Sequence, residues 1–115
     1  MSFREEVDAL HTRYLDAFKR RDAVGGAAGY TEDAVYLIGG EPVRGRAAIA
    51  AAIADYWNSG VVEKGITTLT AEADGNLGYA IEAVETTAGN GVALLVLKRD
   101  GRGRWGICAE AFFEK

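Results

Sequence analysis

The stretch YTEDAVYLIGGEPVRGRAAI, Tyr30–Ile49, decides the fold. It holds two adjacent acids, a short apolar run, a Gly-Gly pair and the chain's only proline, Pro42, and it ends with Arg44-Gly45-Arg46 ahead of an alanine-rich segment. Thr31-Glu32-Asp33 reads as a turn, with Asp33 as a turn or cap residue. A strand follows at Ala34–Ile38, and Gly39-Gly40-Glu41-Pro42 turns the chain again. Gly45 introduces a helix over about Arg46–Asn58, with Ile49, Ile53 and Trp57 on one face. Whether this segment carries chemistry or only supports it depends on Ile38, at the end of the strand.

On the N-terminal side, Ser2 and Glu5 have the S-x-x-E spacing of a capping box. Phe3, Val7, Leu10, Tyr14 and Phe18 repeat at three- and four-residue steps, which predicts an amphipathic helix over residues 3–21. Asp22 caps a second, short helix through Ala28, weakened by Gly25 and Gly26. On the C-terminal side the period changes from helical to alternating. Residues 62–74 are β-branched and read as a strand. Asn76-Leu77-Gly78 is a turn, YAIEAVETT (79–87) a strand, and Ala88-Gly89-Asn90-Gly91 a hairpin loop. VALLVLKR (92–99) is a strand, Asp100-Gly101 a turn and RWGICAEAFFEK (104–115) the last strand. Helices first and antiparallel strands afterwards is an α+β arrangement.

The 115 residues suit one domain, 1–115, with a core large enough to need no staple. The single cysteine, Cys108, permits no internal disulfide and fits a reducing compartment. The start, SFREEVDAL, lacks the apolar region of a signal peptide. No apolar run approaches the ~18 residues of a spanning helix. A soluble, cytoplasmic protein is expected. A net charge of −4 with no basic stripe argues against nucleic acid. Lys19-Arg20-Arg21, the one basic cluster, suits a helix C-terminus.

Alternation assigns the strand faces. Tyr79, Ile81 and Ala83 oppose Ala80, Glu82 and Val84; Trp105, Ile107, Ala109 and Ala111 oppose Cys108, Glu110 and Phe112. The strand at 92–99 is apolar on both faces, so its sheet must be covered twice. Helices cover one face, and a second copy of the chain is expected on the other.

The element order, the YTEDAVYL strand and the GEPVRGRAAI helix start, with the closing KRDGRGRWGI hairpin, resemble the SnoaL-like and ketosteroid-isomerase-like proteins of the nuclear transport factor 2-like superfamily. The resemblance spans nearly the whole chain. It implies a cone, a curved antiparallel sheet wrapped around three helices with a pocket at the open end, and in many members a dimer. It is specific for fold and weak for function, because the superfamily holds isomerases, cyclases, hydratases, dehydratases and binding domains. In ketosteroid isomerase an Asp base works with a Tyr and a protonated Asp as oxyanion donors. By the resemblance the tyrosine matches Tyr14, the base position falls on Ile38, and the protonated-acid position falls at or near Leu95. Two of the three groups are therefore absent.

By strand parity and the resemblance, the cavity face carries Tyr36, Ile38, Glu82, Leu95, Cys108, Glu110 and Phe112, faced by Tyr14, Ile53 and Trp57, with Tyr30 nearby. Such a pocket suits a small, flat apolar molecule. Three readings of its carboxylates stay open. Glu82 or Glu110 serves as base with Tyr14 as oxygen ligand, their pKa values raised by burial and mutual repulsion. Alternatively both only polarise the pocket, or parity is reversed and both lie in solvent at a dimer edge. At the level of function, the choice lies between acid–base chemistry on a small apolar molecule and a non-catalytic binding, dimerisation or docking module. In the docking case Phe112, Ile38 and Leu95 would fill the pocket.

The remaining candidates are weaker. His11, the only histidine, reads as a partly exposed helix residue beside the apolar stripe. With no second histidine or carboxylate cluster at ligand spacing, no metal is expected. Cys108 reads as buried and inert, and Arg44 and Arg46 as surface residues or partners of Glu41. Gly101–Gly106 matches G-x-G-x-x-G, but ICAEAFFEK behind it alternates like a strand, whereas a dinucleotide site needs a helix there. No cofactor is expected.

Overall fold

In the computed structural model, which describes residues 1–38 and 40–115, the first apolar stripe winds into α1 (Phe3–Lys19). The capping box forms as expected: Glu5 N donates to Ser2 Oγ at 3.1 Å and Ser2 N to Glu5 Oε1 at 2.9 Å. The helix stops two residues short of Arg21, which takes a left-handed φ of 56°. Arg21 N bonds Phe18 O and Asp22 N bonds Ala17 O, the paired closure of a Schellman motif. Asp22 then caps α2 (Ala23–Ala27) by accepting from Gly25 N.

The decisive stretch folds differently from its reading at two points. β1 runs Tyr30–Ile38, so Asp33 stands in a strand and not in a turn. Its register against β6 (Trp105–Glu114) slips between Tyr30 and Val35, and this irregularity leaves Glu32 and Asp33 exposed, Asp33 accepting from Thr31 Oγ1 at 3.0 Å. Glu41 and Pro42, read as part of a turn, instead begin β2 (Glu41–Arg44), an antiparallel partner of β1. Pro42 is tolerated because β2 is an edge strand with no second neighbour to serve. Of the expected Gly39–Pro42 turn, Gly39 lies outside the described residues. Gly45, at φ 91°, leads into α3 (Arg46–Asn58), which buries Ile49, Ile53 and Trp57 as its spacing predicts.

The remaining strands are β3 (Glu63–Asp74), β4 (Leu77–Thr86) and β5 (Gly89–Arg99). The turns between them are shorter than expected: Leu77 already pairs with Asp74, and Gly89 with Thr86. The sheet order is β2-β1-β6-β5-β4-β3. Every pairing is antiparallel except β1 with β6, so the expected antiparallel sheet is mixed. The sheet is curved and unclosed, and the α+β cone expected from the sequence is the fold. Among the described residues no helix is long and apolar enough to cross a membrane.

One irregularity redistributes the last strand. Leu97 pairs with Ile107 but Val96 with Ala109, which makes Cys108 the extra residue of a bulge. Because side chains alternate with a period of two, one extra residue exchanges the faces beyond it. Ile107 and Glu110 are therefore both buried, and Trp105 packs inward on Phe3 with ring centroids 4.7 Å apart. The expectation that Trp105 and Ile107 lie opposite Glu110 and Phe112 is corrected by that bulge. The core is built where α1 and α3 meet the concave face, from Val7, Leu10, Phe18, Ile49, Leu95 and Leu97 among others.

Candidate functional site

Between the helices and the concave face lies a cavity of about 1030 Å³. Its walls include Tyr14 from α1, Tyr30, Tyr36 and Ile38 from β1, and Ile53 from α3. Glu82, Leu95, Glu110 and Phe112 come from β4, β5 and β6. Both carboxylates of the sequence reading lie inside, Glu82 4% and Glu110 8% exposed, and neither stands in solvent. Two expected wall residues do not reach it. Cys108 is diverted by the bulge, its thiol 3.4 Å from the Val96 carbonyl. Trp57 is buried behind Tyr14 and donates its indole N–H to the Tyr14 hydroxyl at 3.3 Å. Ile38 stands 41% exposed at the end of β1, whereas Leu95 is buried and pairs directly with Glu110 across the β5–β6 ladder.

Glu110 is buried beside two tyrosines. The Tyr30 hydroxyl donates to its Oε1 at 2.6 Å, and the Tyr36 side chain lies close beside it. The two tyrosine rings stack with centroids 6.1 Å apart. Burial, then repulsion from Glu82 and Glu63, pushes the Glu110 carboxyl up to about 8, against the opposing pull of the tyrosine hydroxyls. Burial likewise raises the Tyr30 and Tyr36 hydroxyls well above their ordinary range, with the Glu110 charge adding to it. At neutral pH the Glu110–Tyr30–Tyr36 group therefore favours its protons, the condition for donating one to a bound molecule.

Glu63, unmentioned in the sequence reading, and His11, read there as partly exposed, belong to this wall. Glu63, the first residue of β3, is half-buried and close to Tyr14. Burial raises its carboxyl and the Tyr14 hydroxyl lowers it, while burial and the Glu63 charge raise the Tyr14 hydroxyl. No alternation marks Glu63 as inward, because the β3 register slips between Glu63 and Gly65 and again between Thr68 and Thr70. His11 is buried and not partly exposed, and its Nε2 meets Glu82 Oε2. A signal was available: His11 is four residues after Val7 and three before Tyr14, hence on the stripe itself.

Other expectations resolve simply. Arg46 donates to the Tyr30 carbonyl at 3.2 Å, and Arg44 is exposed. The glycine-rich stretch is a tight turn in which Asp100 Oδ1 accepts from Arg102 N and Arg104 N, and a strand follows it. Among the described residues no three His, Cys, Asp or Glu side chains are grouped to hold a metal ion.

Solved structures share this architecture. A domain of unknown function with a cystatin-like fold from Nostoc punctiforme aligns with TM-score 0.84, at 21% identity over 98% of this chain and 77% of its own. A function-unknown protein from Mycobacterium tuberculosis aligns with TM-score 0.83, at 24% identity over 96% and 70%. A ketosteroid isomerase-like protein from Erwinia carotovora atroseptica aligns with TM-score 0.76, at 18% identity over 93% and 92%. At these identities the likeness is one of fold. No curated protein matches the chain. The SnoaL-like domain family model matches residues 11–109, from the middle of α1 into the bulged last strand. With its helices over a curved, open sheet and a match across most of its length, the chain belongs to the SnoaL-like domain family.

Proposed function

We propose that the protein holds a small, largely apolar organic molecule in this cavity and passes a proton to it from Glu110. The carrying observation is the buried Glu110 carboxyl, on the cavity wall and held at 2.6 Å by Tyr30. Leu95, where the resemblance puts the protonated acid of ketosteroid isomerase, is the direct cross-strand partner of Glu110. The same function is thus available one strand away, on the same face. The open volume favours this reading over a docking module, for which Phe112, Ile38 and Leu95 should have filled the space.

A thermal-shift panel tests it, with steroids, aromatic polyketide-like compounds, small terpenoids and short acids at pH 5.5 and pH 8. A ligand at about 100 times its Kd should stabilise the fold by about 2.7 kcal/mol. For the wild type the shift should differ between the two pH values, and for Glu110→Gln it should not. Absence of any hit in all four classes sinks the reading.

We also propose that the chain works as a homodimer paired through the outer sheet face. Leu37, Leu94 and Phe113 are 46, 40 and 62% exposed there, around a shallow apolar depression lined by Val35, Val96 and Ala111. Sedimentation equilibrium at micromolar concentration should give a dimer, and Leu94→Glu a monomer. A monomeric wild type counts against this pairing.

A further inference from the structure

Between α1 and the sheet runs a chain of four polar side chains that the proposal above does not use: His11, Thr68 and Glu82 are buried, and Asp8 stands at the surface. Thr68 Oγ1 lies 2.6 Å from Asp8 Oδ1 and 3.4 Å from His11 Nδ1, and His11 Nε2 meets Glu82 Oε2. The proton positions follow from valence. A carboxylate only accepts, so the one hydroxyl proton of Thr68 goes to Asp8. Thr68 Oγ1 must then accept from His11, which puts a proton on Nδ1. Nε2 is left facing a carboxyl oxygen, and two acceptor atoms in contact need a proton between them. His11 and Glu82 have no other partner at those two atoms among the described residues. The pair is a neutral unit holding one shared proton. Glu82 uses Oε2 for this contact, which leaves Oε1 for the cavity that its side chain lines.

We infer that the His11–Glu82 pair is the proton acceptor of the cavity, with Glu82 Oε1 as the atom that meets the substrate, and that Asp8 and Thr68 are its positioning residues. Abstraction balances without any further reactant. A C–H or O–H bond of the bound molecule breaks, its proton bonds to Glu82 Oε1, and the shared proton settles on His11 Nε2. The pair ends as an imidazolium beside a neutral acid, and the electron pair stays on the substrate. The acceptor that the family position at Ile38 cannot supply is thereby provided from α1 and β4. Together with Glu110 this gives a cavity that removes a proton at one place and returns one at another, the requirement of a double-bond shift or of a dehydration. The inference rests on the cavity reading above.

The test uses 5-nitrobenzisoxazole, a small flat carbon acid. Loss of its C3 proton turns the C=N bond into a nitrile, breaks the N–O bond and releases a coloured phenoxide, so a base in an apolar pocket is read directly. The wild type should eliminate it well above the buffer rate with saturation kinetics. His11→Gln and Glu82→Gln, which keep volume and hydrogen bonding, should each lower kcat by about 100-fold. The double variant should be no worse than either single one, as for groups that act as a unit. Thr68→Val should lower kcat several-fold. It should also abolish the fixed Nδ1–H tautomer in the imidazole ¹⁵N spectrum, where His11 gives the only signals. A structural role alone would move neither readout. Wild-type kcat in folded His11→Gln, an Nε2–H tautomer in the wild type, or binding of the probe with elimination at the buffer rate overturns the base while leaving the cavity reading intact. No thermal shift and no elimination with the probe overturns the base and counts against the cavity as well.

Discussion

Replacing Glu110 by glutamine is expected to flatten the pH dependence of stability between about pH 4.5 and pH 8. A carboxyl whose pKa is higher folded than unfolded binds its proton more tightly in the native state. Its stabilisation is complete below its ordinary value of 4.5 and is lost as pH rises through about 8. Each pH unit across that window removes about 1.4 kcal/mol, so the wild type should lose a few kcal/mol that the variant keeps. Glutamine retains an oxygen for the Tyr30 hydroxyl and adds an amide that Tyr36 can accept from, so the comparison isolates the charge. Denaturant titrations of both proteins from pH 5 to pH 9 measure it. The curves should start together at the acid end and diverge steadily up to about pH 8, with the variant more stable. Curves that stay parallel would mean that Glu110 is not held neutral, and the proton-donor role would fall with it.

Removing one member of the buried pair is expected to have the larger effect on stability. Glu82→Ala leaves the buried His11 imidazole without its partner, and breaking a buried pair typically costs about 3–5 kcal/mol. Domains of this size are stable by about 5–15 kcal/mol, so the variant should approach the threshold of folding. The double change His11→Leu with Glu82→Met should recover most of the loss, because an apolar pair of similar volume needs no partner proton. Chemical denaturation of the three variants at one pH checks this. A Glu82→Ala cost below about 1 kcal/mol would show that solvent reaches the pair freely. The expected pattern also explains why the catalytic test relies on glutamine at these positions.

The helices were legible in the sequence because their signals are local. Ser2 and Glu5 cap α1, Asp22 caps α2, and the three- and four-residue spacing of Ile49, Ile53 and Trp57 gives α3. Family likeness extended that to the cone. Alternation in β4 put Glu82 on one face with Ala80 and Val84, as the unbroken register has it, but which face is inward stayed open until the sheet was packed. Cys108 and Trp105 were misplaced because a bulge changes parity, and an inserted residue looks like any other residue in a strand. β2 was hidden by Pro42, whose missing N–H matters only if a neighbour needs it, and the edge position is settled by topology.

By itself, then, the sequence determined an α+β domain with an apolar interior and three helices with their faces, and it left open whether Glu82 and Glu110 point inward. Local propensity and hydrophobic period carry that information. The tertiary structure alone decided which polar groups meet. His11 and Glu82 are separated by most of the chain, as are Tyr30 and Glu110, and each is unremarked in its own segment. Only the winding of α1 across the β3–β4 side of the sheet, and the parallel seating of β1 against β6, bring them to contact. A buried charge is tolerated only beside its partner, so the chemistry of the cavity is a property of that packing and of no single stretch.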